Sequence, residues 1–252
     1  MKLEKRFLNL IIILVEPQGP INVGSVARLC ANFMVDELRI VSPRCDIHSL
    51  EAKKMSLKGM QYINNCNVYE TLFDAVGDCD LVLAGSGKLE SNNASNEPIQ
   101  ESLESATRWI CNFQTINKLA FVFGREDRGL TNQEMLLSHK TFKIGTNKNY
   151  PSLNLSHAVS IVLYELSRLS NNKNTKNLVE CDLSSTAEIE ICFSEMERML
   201  RKIGYLLSHT SAARISKFKK YIIRAKTSKN ELNMIRGIIH QINWALNNLN
   251  KN

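Results

Sequence analysis

Two glycines, two arginines and two carboxylates fall within six residues at Gly124-Arg125-Glu126-Asp127-Arg128-Gly129, directly after the apolar run Phe121-Val122-Phe123. A connector needs only polarity and a turn residue, so this composition reads as a loop that binds or reacts. Two more loops follow apolar runs. Gly85-Ser86-Gly87 comes after Leu81-Val82-Leu83-Ala84, and Lys143-Ile144-Gly145-Thr146 leads to Pro151-Ser152-Leu153-Asn154 just ahead of a helical pattern. The small residues of the first let a ligand approach the backbone closely, although Gly-Ser-Gly is equally an ordinary turn. In the second, Ser152 and Asn154 set donors at a helix N-terminus, where plain N-capping and a ligand role are compatible. A fourth element runs from Glu16 to Arg28. Arg28 lies six residues after Asn22, on the first or second turn of a helix, within reach of the same loop surface. As a lone residue it reads equally as a surface cation.

The elements that must position these loops are legible as alternating short apolar runs and amphipathic stretches between residue 8 and about 169, the pattern of a parallel sheet covered by helices. Strands are predicted at Asn9–Val15, Glu37–Val41, Asn67–Tyr69, Leu81–Gly85, Lys118–Phe123 and Thr141–Ile144. Helices are predicted at Val23–Phe33, Ser49–Leu57, Thr71–Val76, Ile99–Asn112, Asn132–Leu137 and Leu155–Leu169, the last with Leu155, Val159, Val162 and Leu166 on one apolar face. In open α/β sheets ligands bind outside the carboxyl ends of the strands, where the three loops would meet. A polar Asn/Lys/Thr/Ser tract from Ser170 to Asn177 buries nothing and reads as a linker. The reading is therefore an α/β domain over 1–170, a linker over 171–183 and a small helical domain over 184–252, built from Ser184–Leu207, Ser211–Ala225 and Lys229–Leu249.

Of the formal charge of +7, the helical tail carries the excess: ten basic residues and no acidic one lie between Arg198 and Asn230. Such a run is often a solvated helix face, but uncompensated cations repel one another unless an anion is near, and contact with a phosphate backbone is the sharper reading. Seven cysteines are scattered without a CxxC pair, so neither a disulfide framework nor a zinc site is indicated. The run from Leu10 to Val15 is about a third of the ~20 residues a membrane helix needs. A cytoplasmic protein with free thiols, no metal and no membrane partner is expected.

Asn22-x-Gly24-x-x-x-Arg28, Phe123-Gly124-x-Glu126-x-x-Gly129-Leu130-x-Asn132 and Ser152-Leu153-Asn154-Leu155-Ser156 resemble, in order and spacing, the three motifs of the SPOUT RNA 2′-O-methyltransferases of the TrmH branch. Lys217-Phe218-Lys219-Lys220 through Arg224-Ala225-Lys226 to Glu231–Ile238 resembles the helical tail of members that act on tRNA anticodon-loop nucleotide 32. The resemblance covers nearly the whole chain. It implies a trefoil knot in the α/β domain, which general topology rules would not suggest. It also implies a homodimer, tRNA as partner, and S-adenosylmethionine held by Gly85, Ser86, Gly87, Gly124, Ile144, Pro151, Ser152 and Leu153. The implied catalytic set is Arg28, Glu126, Ser152 and Asn154. Arg28 would sit near the partner's cofactor as phosphate anchor and hydroxyl activator. Ser152 and Asn154 would order cofactor and substrate, and Glu126 would orient its loop or pair with a basic group. The chain departs from the family at Gly85-Ser86-Gly87-Lys88, where members often carry Thr-Ser or an arginine, and at Pro151, which replaces a small polar residue.

Three other readings compete. A ribosomal-RNA methyltransferase of the same fold is opposed by the tail. An RNA-binding protein without catalysis needs only that tail, and is opposed by the intact Arg28, Glu126, Ser152 and Asn154. A nicotinamide-dependent enzyme would need a GxGxxG turn, and the first crossover, with Gly19 and Gly24, has none.

Overall fold

The computed structural model describes residues 7–87, 100–111, 113, 116–147, 149–171, 185–206, 214–215, 218–219 and 227–249. Seven strands, β1 (Phe7–Val15), β2 (Glu37–Val41), β3 (Asn67–Tyr69), β4 (Leu81–Gly85), β5 (Gln100–Ser102), β6 (Ile116–Phe123) and β7 (Lys140–Lys143), form one sheet in the order β3-β2-β1-β6-β4-β7-β5. Every pairing is parallel. Leu10 to Val15 are all buried, as are Leu119 to Phe123 and Leu81 to Ala84, because helices cover both faces of the sheet. The helices of this unit are α1 (Pro20–Phe33), α2 (Leu50–Ser56), α3 (Met60–Asn64), α4 (Leu72–Val76), α5 (Leu103–Ile110), α6 (Asn132–Met135) and α7 (Leu155–Asn171). One core layer joins Ile11, Ile13, Val15, Val82, Ala84, Ala120 and Val122 to Leu72, Ala75 and Val76 of α4. On α7, Leu155, Val159, Val162 and Leu166 are buried as their spacing predicts, together with Leu163.

The mostly parallel sheet flanked by helices is the fold class expected from the sequence, with local corrections. The stretch expected as one helix over Ile99–Asn112 divides into β5 and α5. Gln-Glu-Ser has no apolar alternation to betray a strand, and an edge strand that pairs with β7 alone needs none. Ser102 then caps α5 by accepting from Ser105 N. Helix α1 begins at Pro20 rather than Val23, with proline on the first turn, where its missing N–H costs nothing. The helix expected at Ser49–Leu57 ends at Ser56, and a 3-10 turn, Leu57–Gly59, and α3 follow it where no element is predicted beyond Leu57.

The chain divides into two compact units, Met1–Glu180 and Cys181–Asn252. In the second, α8 (Thr186–Lys202) and α9 (Lys229–Leu249) pack through Ile189, Cys192, Phe193, Met196, Met199, Leu232 and Ile239. A capping box of Ser185 and Glu188 starts α8, and Arg236 on α9 donates to Glu195 on α8 at 2.8 and 3.0 Å. Ser170 and Asn171, read as the start of the polar linker, are instead the last residues of α7; the rest of that linker and most of the helix expected at Ser211–Ala225 lie outside the described residues, as does Lys88. Among the described residues six cysteines are free thiols, and no helix is long and apolar enough to cross a membrane.

Register puts Leu14 beside Phe123 and Val41 beside Val15, with Ala84 beside Val122 and Phe142 beside Gly85, so the loops after β1, β2, β4, β6 and β7 leave one sheet edge together. Close packing of α1 on α2 supports the first of them. A Cβ added at Gly24 would meet the Ala52 carbonyl oxygen at 2.4 Å and Met55 Cβ at 2.8 Å. Gly24→Ala is expected to lower stability by about 1–3 kcal/mol despite alanine's better helix propensity. Urea unfolding of the two proteins measures it.

Candidate active site

A cavity of about 280 Å³ opens at the carboxyl edge of the sheet. All eight residues expected to hold a cofactor line it: Gly85, Ser86, Gly87, Gly124, Ile144, Pro151, Ser152 and Leu153. Phe123 and Leu155, which flank the loops, add apolar wall, as do Phe142 and Ala158, which the loop motifs did not reveal. The shape follows from backbone constraints. A Cβ at Gly124 would come within 2.3 Å of Gly129 C and Leu130 N, so the loop folds back on itself only with glycine there, and Gly129 takes the left-handed φ of +68° that closes the return. Gly87, by contrast, faces open space. Thr146 donates through its hydroxyl to the Pro151 carbonyl at 2.8 Å, which tucks the third loop towards α7.

Glu126 lines the cavity, but its carboxylate is occupied. It accepts from Gln18 N at 3.0 Å, Gly19 N at 3.1 Å and Asn22 Nδ2 at 3.0 Å. Asn22 Oδ1 in turn accepts from Asn154 Nδ2 at 3.0 Å. Asn154 Oδ1 accepts from Ser156 N at 2.9 Å and from the Ser156 hydroxyl at 2.7 Å, the N-capping alternative raised by its position. Glu126 and Asn154 are thus brought together through Asn22, and both hold loops in place. Ser152 is exposed on the cavity wall. Arg28 is exposed on α1 and lies outside the cavity lining of its own chain.

Sequence reasoning missed the ion-pair brace beneath this loop. Arg125 is 7% exposed and donates to both Glu134 oxygens at 2.9 Å, to Gly129 O at 3.3 Å and to Glu16 Oε1. Hydrogen bonding from Arg125, opposed by burial and helped by Arg44, holds the Glu16 carboxyl down at about 2. Burial works against ionisation of Glu134, yet hydrogen bonds from Arg125 and the Thr131 backbone outweigh it and keep that carboxyl below its usual range. The same two carboxylates hold the Arg125 guanidinium above its usual range. The Thr131-x-x-Glu134 capping box that starts α6 was the available sequence signal for Glu134. Glu16 offered none beyond ending an apolar strand.

A cavity of this size, with apolar walls, glycine-lined loops and a few polar groups, suits a small cofactor bound largely through main-chain contacts. Among the described residues no cluster of His, Cys, Asp and Glu could hold a metal ion. Because the folded Glu16 carboxyl lies below its unfolded value of 4.5, its contribution is full above about pH 4.5 and is lost as pH falls towards 2. Glu16→Gln is expected to cost about 1–3 kcal/mol at pH 7. In denaturant titrations at pH 7 and pH 3 the gap between the two proteins should narrow at the lower pH.

Comparison with known proteins agrees with this geometry. Residues 9–164 match the SpoU rRNA Methylase family, and residues 187–251 match the C-terminal domain of the tRNA methyltransferase TrmJ. The chain is 32% identical over 241 residues to an uncharacterized tRNA/rRNA methyltransferase of Haemophilus influenzae, covering 93% of this chain and 94% of that one. It is 33% identical over 223 residues to the tRNA (cytidine-2′-O-)-methyltransferase TrmJ of Methanocaldococcus jannaschii, covering 87% and 94%. The crystal structure of TrmJ from Z. mobilis ZM4 superposes with a TM-score of 0.77 at 26% identity, over 92% of this chain and 98% of that one. All three motifs that carried the sequence resemblance lie inside the first matched region, and the basic tail coincides with the second. The chain belongs to the SpoU methylase family and carries a TrmJ-type C-terminal domain.

Proposed function

We propose that this protein methylates the ribose 2′-hydroxyl of tRNA anticodon-loop nucleotide 32, a cytidine or uridine, with S-adenosylmethionine as donor. The observation that carries the reading is the convergence of the three glycine- and serine-bearing loops on one cavity. The TrmJ-type tail favours tRNA over ribosomal RNA as substrate. The two units act as methyltransferase domain and basic RNA-binding domain, divided over residues 171–183, in a cytoplasmic enzyme.

Gly85, Ser86, Gly87, Gly124, Ile144, Pro151, Ser152 and Leu153 are the residues placed to hold the donor, which supplies a sulfonium methyl already activated for in-line displacement. The chain's own work is then mainly alignment. Arg28 is assigned to gripping a substrate phosphate and polarising the 2′-hydroxyl. A guanidinium with a pKa above about 12 does not take the proton, so a phosphate oxygen or water receives it. Since Arg28 is exposed and away from its own cavity, a homodimer in which it serves the partner's site is the fitting assembly. Exposed Ile21 on α1 and Ile161 and Tyr164 on α7 offer apolar surface for such a contact. In this reading α7 and the loops before it complete the family's knot. Glu126 and Asn154 are positioning residues, their polar atoms being committed to loop contacts.

Incubation of the protein with tRNA and labelled S-adenosylmethionine, followed by nucleoside mass spectrometry, should yield 2′-O-methylcytidine or 2′-O-methyluridine. No such product on any tRNA tested would refute the proposal. Arg28→Ala should reduce transfer by about a hundredfold or more while calorimetric affinity for S-adenosylmethionine changes less than about twofold. Removal of residues after Glu180 should weaken tRNA binding and flatten its salt dependence, because the deleted unit holds most of the net positive charge.

A further inference from the structure

Glu16, the first residue beyond β1, holds more cations than a structural pair requires. Its Oε1 faces Arg125, while its Oε2 accepts from Arg44 Nε and lies 3.6 Å from Arg128. Arg125 is already matched by Glu134 through two hydrogen bonds. One carboxylate therefore faces two further guanidinia, whose side chains are 57% and 55% exposed. Exposed ion pairs contribute little to stability, so folding gives no account of this surplus. Among the described residues no other carboxylate forms an ion pair with either guanidinium. Glu126 commits its oxygens to Gln18, Gly19 and Asn22, Asp46 accepts from His48 N, and exposed Asp127, next in sequence to Arg128, adds only a coulombic attraction on it.

Placement gives the pair a use. Arg128 lines the cavity. Arg44, in the loop after β2, donates its backbone N–H to the Pro17 carbonyl at 3.0 Å, which fixes it beside Glu16 at the same sheet edge. Its Nε points to Glu16, and its two terminal amino groups carry no hydrogen bond among the described residues. A planar guanidinium held at one donor still offers others in the geometry that matches a phosphate.

We propose that Arg44 and Arg128 form a phosphodiester clamp at the rim of the cavity, gripping the backbone of the RNA strand whose ribose enters it. Glu16 presets the two guanidinia and keeps Arg125 as its own partner when a phosphate takes over the exposed pair. The clamp rests on the RNA-methylating reading above and deepens it, since it adds a contact on the cavity's own chain to the one assigned to Arg28. The competing source of an anion at Arg128 is the carboxylate of the methionine portion of the donor.

The test is equilibrium binding of unmodified tRNA to the full-length protein across a potassium chloride series, with Arg44→Ala, Arg44→Lys, Arg128→Ala and the double alanine variant. Each alanine variant should weaken binding at low salt by roughly fivefold. The slope of log affinity against log salt should flatten by about 0.7 per arginine lost, the value for an unpaired strand. Arg44→Lys should keep the slope, since it keeps the charge. An unchanged slope in Arg44→Ala would overturn the clamp. So would Arg128→Ala raising the dissociation constant for S-adenosylmethionine while the RNA slope stays fixed, which would assign the pair to the donor. Binding needs no turnover, so the two proposals fail separately. A wild-type protein that methylates no tRNA, with variants that lose slope, refutes the function and keeps the clamp; active enzyme with intact slopes does the reverse.

Discussion

A buried guanidinium must find carboxylates, and Arg125 finds them at two distant points of the chain: Glu16 at the end of β1 and Glu134 at the start of α6. Removing one partner of such a set strands a buried charge, which is far costlier than losing a surface pair. The consequence is geometric. Arg125 stands at the mouth of the loop that returns through Gly129 and bridges back to it, so the brace holds the loop folded over Gly124, where no side chain fits. That fold is one wall of the cavity. Arg125 itself lines that cavity, and through Glu16 the brace also meets Arg44 and Arg128, so the wall and the arginines at its rim are held by one carboxylate.

A second tie crosses the same edge. Glu126 fastens the chain entering α1, Asn22 passes the contact on, and Asn154 completes it at the start of α7. Three loops from residues 17–22, 124–131 and 144–154 are thereby locked by polar side chains rather than by apolar burial, as suits a surface that must remain open to a ligand. Each hydrogen bond here is of modest net strength, but the ties are mutually dependent, since Asn22 reaches both partners only while α1 stays pressed against α2 through Gly24.

The sheet, the helices over it and the loops at its carboxyl edge were legible because they rest on local periodicity and on the rule that parallel strands send their crossover loops to one side. The apolar stripe of α7 could be read residue by residue. Strand β5 could not, since an edge strand of Gln-Glu-Ser carries no pattern of its own and exists because β7 offers it a partner. The roles of Glu126 and Asn154 were half legible: their types and positions marked them as important, but only the folded chain reveals that both reach the segment at Gln18–Asn22, more than a hundred residues away in sequence. Glu16 was silent for the same reason. A carboxylate acquires meaning from the guanidinium it meets, and that meeting is a long-range fact.

Charge is divided unequally between the two units. Residues 181–252 hold twelve Lys and Arg against six Asp and Glu, whereas residues 1–180 hold twenty against nineteen. A nearly neutral unit exerts little long-range pull on a polyanion, because beyond about 10 Å exposed charges are screened at moderate salt. On the proposed function, recruitment of an RNA would then fall to the second unit, and whatever fixes the strand at the cavity would act by contact. Arginines held in advance by a carboxylate suit that short-range role, since their direction is set before the strand arrives and less freedom is lost on binding. An enzyme arranged this way separates affinity from register, and changes in salt should weaken capture of the RNA more than they disturb its alignment once bound.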